Sequence, residues 1–208
     1  MVEFKRFTDG ILGSNTYLLW DPVSKEAATV DAGNRVALID GALREKGLTL
    51  KYVILTHAHF DHIYYLPEYR DFFPDAQIVI HEDDNDILAN PRLNASTLFG
   101  SERTFQKADL TVKEGDVLQL GEEPLQILST PGHTPGCICI LNGSALFSGD
   151  TLFYSGFGRT DLGAGNVGQL ADSIDRLYAL EETISVYPGH GTKTTIGREK
   201  QCSPFLDF

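Results

Sequence analysis

Long apolar runs are missing from this chain of 208 residues. None approaches the ~18 or more consecutive apolar residues that mark a membrane span, so no membrane partner is expected. Cysteine is scarce, with three residues. Cys137 and Cys139 lie two apart in "GCICIL", which reads as a strand, so both face one side. Strand geometry does not favour a bridge between them, and a reducing cytoplasm is the expected setting. Positive charge is also short: Lys and Arg total 17 against 29 Asp and Glu, a net charge of −12. Such a surface repels phosphate backbones, and no Lys/Arg cluster offers a local exception, so no nucleic-acid partner is expected. The opening "MVEFKRFTDGILGSNTYLLW" carries mixed charges and no small-residue cleavage site, and does not read as a signal peptide. The sequon at Asn94 therefore reads as idle.

What remains is ordinary globular composition, 42% hydrophobic, 22% charged and 10% aromatic. No repeat or linker interrupts it, and one domain spanning residues 1–208 is expected. The stretches "VEFKRF", "SNTYLLW" and "EAATVDAG" read as strands. "RVALIDGALREKG" has helical spacing and stops at Gly47. "KYVILT" and "AQIVIH" are short buried strands, and "FDHIYYLPEYRDFF" between them reads mostly as helix, disturbed at Pro67. Residues 83–108 are polar and irregular, a short helix and a long loop. Four more strands follow in "DLTVKEGDVLQL", "PLQILST", "GCICIL" and "SALFSG". Val167, Leu170, Ile174, Leu177 and Leu180 recur at helical spacing before a last strand, "ISVYP". Strands then helix, twice over, point to two packed sheets with helices outside, a layered α/β architecture.

Six histidines are present, and three of them fall with an aspartate inside six residues: His57, His59, Asp61 and His62. The others of interest each follow an apolar run. His133 comes after "LQILST", Asp150 after "ALFSG" and His190 after "ISVYP". Strand ends converge on a rim, so these groups can meet. Packed together without a cation, the imidazoles would be desolvated or mutually repelling. Neutral imidazole and carboxylate are natural metal ligands, and seven groups exceed the about four that one tetrahedral ion takes. Two bridged ions use them fully. His81, alone in "VIHEDD", reads as a structural histidine.

"THAHFDH", residues 56–62, resembles the T-H-x-H-x-D-H signature of the metallo-β-lactamase fold superfamily. "VDAG", "TPGHTPG", "SGDTLF" and "YPGHG" resemble its other motifs, in order. The resemblance implies a four-layer αβ/βα sandwich with a binuclear site on one rim. It implies that His57, His59 and His133 hold one ion, that Asp61, His62 and His190 hold the other, and that Asp150 bridges them. Asp31 would steady the histidine loop from behind. The ions would be Zn, with Fe or Mn accepted by the same ligands.

The fold hosts many reactions. In the zinc β-lactamases the position of Asp150 is commonly Cys, which points away from that branch. The large nucleic-acid-cleaving members carry an inserted domain, and flavin-coupled diiron members a partner domain, that this length does not hold. "SGDTLFYSGFGRTDLGAGN" and "YPGHGTKTTIGREKQCSPFL" resemble the short glyoxalase-II-like hydrolases, relatives of hydroxyacylglutathione hydrolase. The helical region that grips glutathione in the full-length enzymes has no counterpart among the residues from Gly191 to Phe208.

The activity implied is hydrolysis of a small-molecule thioester by a water shared between the ions, its pKa lowered toward ~7. Asp61 and Asp150 would orient that nucleophile and take its proton. A thiol, with a pKa near ~8.5, leaves without a strong general acid, and the motifs offer none. Arg159 and Tyr154 are the candidate substrate contacts; Arg198 and Lys200, in the tail, carry no assignment. Two rival readings remain, a mononuclear iron persulfide dioxygenase and a non-enzymatic metal-binding protein. The oligomeric state is not set by the sequence.

Overall fold

The computed structural model describes residues 1–202; the end of the C-terminal stretch, from Ser203, lies outside the described residues. The first sheet is built in chain order from β1 (Glu3–Phe7), β2 (Thr16–Trp20), β3 (Glu26–Val30), β4 (Thr49–Ile54), β5 (Gln77–His81) and β6 (Leu110–Val112). Its first three strands are antiparallel, and β3 to β6 run parallel. β3 and β4 are joined through α1 (Val36–Lys46), and β4 and β5 through α2 (Phe60–Ile63) and α3 (Leu66–Phe72). The second half supplies β7 (Val117–Leu120), β8 (Glu123–Ser129), β9 (Ile138–Asn142) and β10 (Ala145–Gly149). A small hairpin follows, β11 (Leu152–Phe153) with β12 (Gly156–Phe157). Then come α4 (Val167–Tyr178), β13 (Ser185–Pro188), β14 (Thr194–Thr195) and α5 (Ile196–Cys202). The second sheet has the order β14-β13-β10-β9-β8-β7, with β10 and β13 parallel.

Side-chain alternation sorts the apolar residues into three cores. Along β2, Leu18 and Trp20 join α1 and α3 in an outer core, while Tyr17 and Leu19 face the second sheet. Ile138 and Ile140 of β9 enter the same inter-sheet core, and Cys139 between them faces Leu170, Ile174 and Leu177 of α4. β2, β9 and β10 are therefore covered on both faces, which is why their sequences are near-continuous apolar runs. The result is helices, sheet, sheet, helices: a four-layer αβ/βα sandwich.

Several details depart from the expectations. The stretch 60–73 forms two helices, because Pro67 lies in the first turn of α3, where its missing N–H is unneeded. Residues 83–108 hold short 3-10 turns at Glu82–Asp84, Ile87–Ala89 and Ser96–Phe99 in place of an α-helix. Val167, at the start of α4, is 64% exposed despite its helical spacing.

Candidate metal centre

The parallel run of β3, β4 and β5 ends on one edge of its sheet, and β8, β10 and β13 all point the same way in theirs. The residues just past these ends form a single rim. Asp31 follows β3 with a φ of 66°, a left-handed turn unusual for a non-glycine residue. That turn aims its carboxylate at the next loop. Asp31 Oδ1 accepts from the Thr56 N–H at 2.8 Å, and Oδ2 accepts from His62 Nδ1 at 2.7 Å. Thr56 Oγ1 donates to the same carboxylate, so its own oxygen is left to accept from His57 Nδ1 at 3.0 Å. His133 Nδ1 donates to the carbonyl of Arg159 at 2.6 Å. Each of these bonds fixes a ring orientation and turns Nε2 of His57, His62 and His133 inward.

The inward atoms converge. His59 Nδ1 lies 2.7 Å from His133 Nε2. His62 Nε2 is 3.2 Å from His190 Nε2, which is 3.1 Å from Asp61 Oδ2. Asp150 reaches both groups: Oδ1 is 3.4 Å from His62 Nε2, and Oδ2 is 3.5 Å from His133 Nε2 and 3.7 Å from His190 Nε2. Ligand atoms of His57, His59 and His133 lie within 4.8 Å of one another, as do those of His57, His62 and Asp150, and those of Asp61, His62 and His190. All seven residues expected as ligands are thus brought to one place.

The donor set suits a cation. His57 Nε2, His59 Nε2 and Asp150 Oδ1 are buried without a hydrogen-bond partner, and an orphaned buried polar atom costs about 1–3 kcal/mol. Burial, reinforced by the neighbouring imidazoles, holds His57 well below the usual histidine range and takes His59 down to about 3. Both are neutral, as metal ligation requires. His62 is also buried, but Asp150, Asp61 and Asp31 outweigh that and raise its pKa. Burial works to raise Asp61 and Asp150, and the charge of His62 overrides it, so both carboxyls sit below their ordinary range. Tight approach is built into the backbone: a Cβ at Gly189 would lie 2.3 Å from Asp150 Oδ1 and 2.7 Å from His62 Cε1.

A cleft of about 340 Å³ opens over this cluster, with His59, Asp61, His133, Asp150 and His190 on its floor. Its walls are mostly apolar, from Leu12, Phe99, Phe153, Phe157 and Leu162. Arg159 also lines it, but its guanidinium is paired with Asp161 at 2.5 and 2.7 Å. Tyr154 does not line the cleft. It sits at the hairpin turn beside Phe153 and stacks under the Arg198 guanidinium, 3.7 Å from its ring centroid. The inward position expected for Tyr154 is taken by Phe153, one residue earlier. Glu199, fully buried on α5, accepts from the Ser155 N–H and from Thr194 Oγ1, and so ties the hairpin down. Lys200 faces Glu182 instead. His81 lies outside the cluster, its two nitrogens engaged by the Asp83 N–H and Ser129 Oγ.

A sandwich with a His/Asp cluster on its rim defines a scaffold able to hold metal ions, and the comparisons agree. The family model described as the metallo-beta-lactamase superfamily matches residues 9–190. The chain belongs to that superfamily. It is 36% identical to "Probable metallo-hydrolase YqgX" of Bacillus subtilis, over 99% of this chain and 98% of that one. It is 34% identical to hydroxyacylglutathione hydrolase GloC of Haemophilus influenzae, covering 93% of this chain and 92% of that one. Identity to the mitochondrial persulfide dioxygenase ETHE1 of Mus musculus is 35%, covering 92% of this chain and 70% of that one. Among solved structures, the B3 metallo-beta-lactamase BLEG-1 superposes with a TM-score of 0.91 at 36% identity, over 99% of this chain and all of that one. The di-iron-bound form of TTHA1623 gives 0.85 at 30% identity, over 97% and 100% of the two chains. A protein named as a β-lactamase thus stands among the structures this chain resembles.

Proposed function

We propose that this protein is a binuclear metal-dependent hydrolase of thioesters, acting on hydroxyacylglutathione-type substrates such as S-lactoylglutathione. The observation that carries the reading is the convergence of seven ligating side chains under one cleft, three of their buried atoms lacking partners. The similarity to GloC supports the substrate class. His57, His59 and His133 would hold one ion, Asp61, His62 and His190 the second, and Asp150 both. Zinc is the proposed metal, although a related structure carries two irons. When bound, such ions supply a water of lowered pKa and an electrophile for a carbonyl.

The chain's own groups do the rest. Asp31, Thr56 and the Arg159 carbonyl hold three imidazoles in the orientation that presents Nε2. Asp61 and Asp150, kept ionised, accept hydrogen bonds from a water on the cleft floor and take its proton. Phe153, Phe157 and Phe99 exclude bulk solvent from one side. Among the described residues no further acid lines the cleft, so a leaving group that departs unprotonated is favoured: a thiolate before an alkoxide, and an alkoxide before an amine. The acidic surface supports a small-molecule substrate over a nucleic acid, and a cytoplasmic setting rests on the cysteine usage alone. No helix among the described residues is long and apolar enough to cross a membrane.

A second reading, the mononuclear iron persulfide dioxygenase, is favoured by the identity to ETHE1. One preparation, loaded separately with Zn and with Fe(II), separates the two. The expected result is cleavage in the order hydroxyacyl thioester, activated ester, β-lactam, without oxygen uptake on glutathione persulfide. Rapid oxygen consumption by the Fe(II) form with negligible thioester cleavage overturns the proposal, and so does a β-lactam cleaved faster than any thioester.

A further inference from the structure

The loop of His57 and His59 leaves the first sheet, and the loop of His133 leaves the second. One buried carboxylate that neither motif contains spans the two. Asp84, in the 3-10 turn after β5, is fully buried. Its Oδ2 accepts from the Ala58 N–H, between the two histidines, at 2.9 Å. The same oxygen accepts from Thr134 Oγ1, next to His133, at 2.8 Å. Its Oδ1 accepts from the Gly136 N–H at 2.7 Å. The approach depends on glycine: a Cβ at position 136 would lie 2.6 Å from the Asp84 nitrogen and 2.8 Å from Oδ1.

No Lys or Arg pairs with this carboxylate among the described residues' ion pairs. Burial pushes its pKa up against three hydrogen bonds that hold it down. An uncompensated buried charge is a costly tether. Its three donors fix one distance, that between the backbone flanking His57 and His59 and the backbone flanking His133. His62, further along on α2, is steadied separately by Asp31.

We propose that Asp84 is a positioning residue for the His57–His59–His133 group alone, setting the separation of its two loops so that the three imidazoles address one ion. The proposal rests on the metal-site reading above. It requires that loss of the Asp84 bridge weakens one ion and spares the other.

Asp84→Asn is the sharp variant, because shape is kept while one accepting oxygen becomes an NH₂ group that must face either the Gly136 or the Ala58 N–H. Thr134→Val, which deletes one donor, is the milder partner. Zn²⁺ is titrated into each metal-free protein against a chromophoric chelator, and thermal unfolding of the metal-free forms is followed in parallel. The expected result for Asp84→Asn is one Zn²⁺ bound 10–100-fold more weakly, the range for groups that orient ligands, with the second unchanged and cooperative unfolding retained. Thr134→Val should fall between it and the parent. Two unaltered affinities in Asp84→Asn overturn the proposal, as does equal weakening of both ions, the mark of a general structural role. A parent protein that binds no Zn²⁺ would instead overturn the metal-site reading, and the proposal with it.

Discussion

Asp31 and His62 meet at 2.7 Å with both side chains buried, and the pair joins the strand end of β3 to the histidine loop. The same carboxylate holds the Thr56 N–H. Asp31→Ala removes both contacts. The expected outcome is a 10–100-fold loss in affinity for the ion that His62 would hold, measured by chelator competition. Unchanged affinity would mean that the carboxylate serves folding only.

Asp150 lies in the cluster, and His81 lies outside it, against Asp83 and Ser129. Asp150→Asn should reduce turnover by at least about a hundredfold, because losing a group that merely orients ligands already costs about 10–100-fold. His81→Ala should cost about 1 kcal/mol of stability through the lost Ser129 bond and leave metal content unaltered. Paired activity and metal assays check this; equal damage from the two substitutions contradicts the site.

Much of this was legible in the sequence for a physical reason. Strands buried on both faces must be largely apolar, so β2, β9 and β10 announce themselves. Side chains that sit just past strand ends follow those runs directly, as His57, His133, Asp150 and His190 do. Asp84 and Glu199 were not legible. Asp84 stands in "HEDD" beside Asp83, whose side chain is 60% exposed, and only tertiary placement tells the two apart. The β11–β12 hairpin is too short to show a period, so nothing indicated that Phe153 rather than Tyr154 turns into the cleft.

Arg159 offers the cleft wall's guanidinium, but Asp161 already holds it. A glutathione thioester should therefore bind weakly, with a KM near or above the top of the common 1 μM–1 mM range. Arg159→Ala should raise KM more than it lowers kcat, because it removes contact made equally in ground and transition states. Steady-state kinetics with S-lactoylglutathione check both; a sub-micromolar KM contradicts the account.

Acid stability should carry the mark of Asp21, which is 2% exposed and caps the β2–β3 turn. The Val23 N–H, then Ser24, lower its pKa to about 2 from an ordinary 3.8. A carboxyl depressed in the folded state stabilises fully above its unfolded pKa, and that contribution is lost as pH falls through the folded value. Metal-free wild type should therefore resist urea better than Asp21→Asn at pH 7. The gap should shrink from about pH 4 downward and close near pH 2. A gap independent of pH would reject the assignment.

The central claim is that seven side chains on one rim hold two ions. Elemental analysis of protein saturated with Zn, freed of excess and normalised to chain concentration measures this directly. The account predicts close to two ions per chain. A firm value of one, unchanged when Fe or Mn replaces Zn, would contradict it.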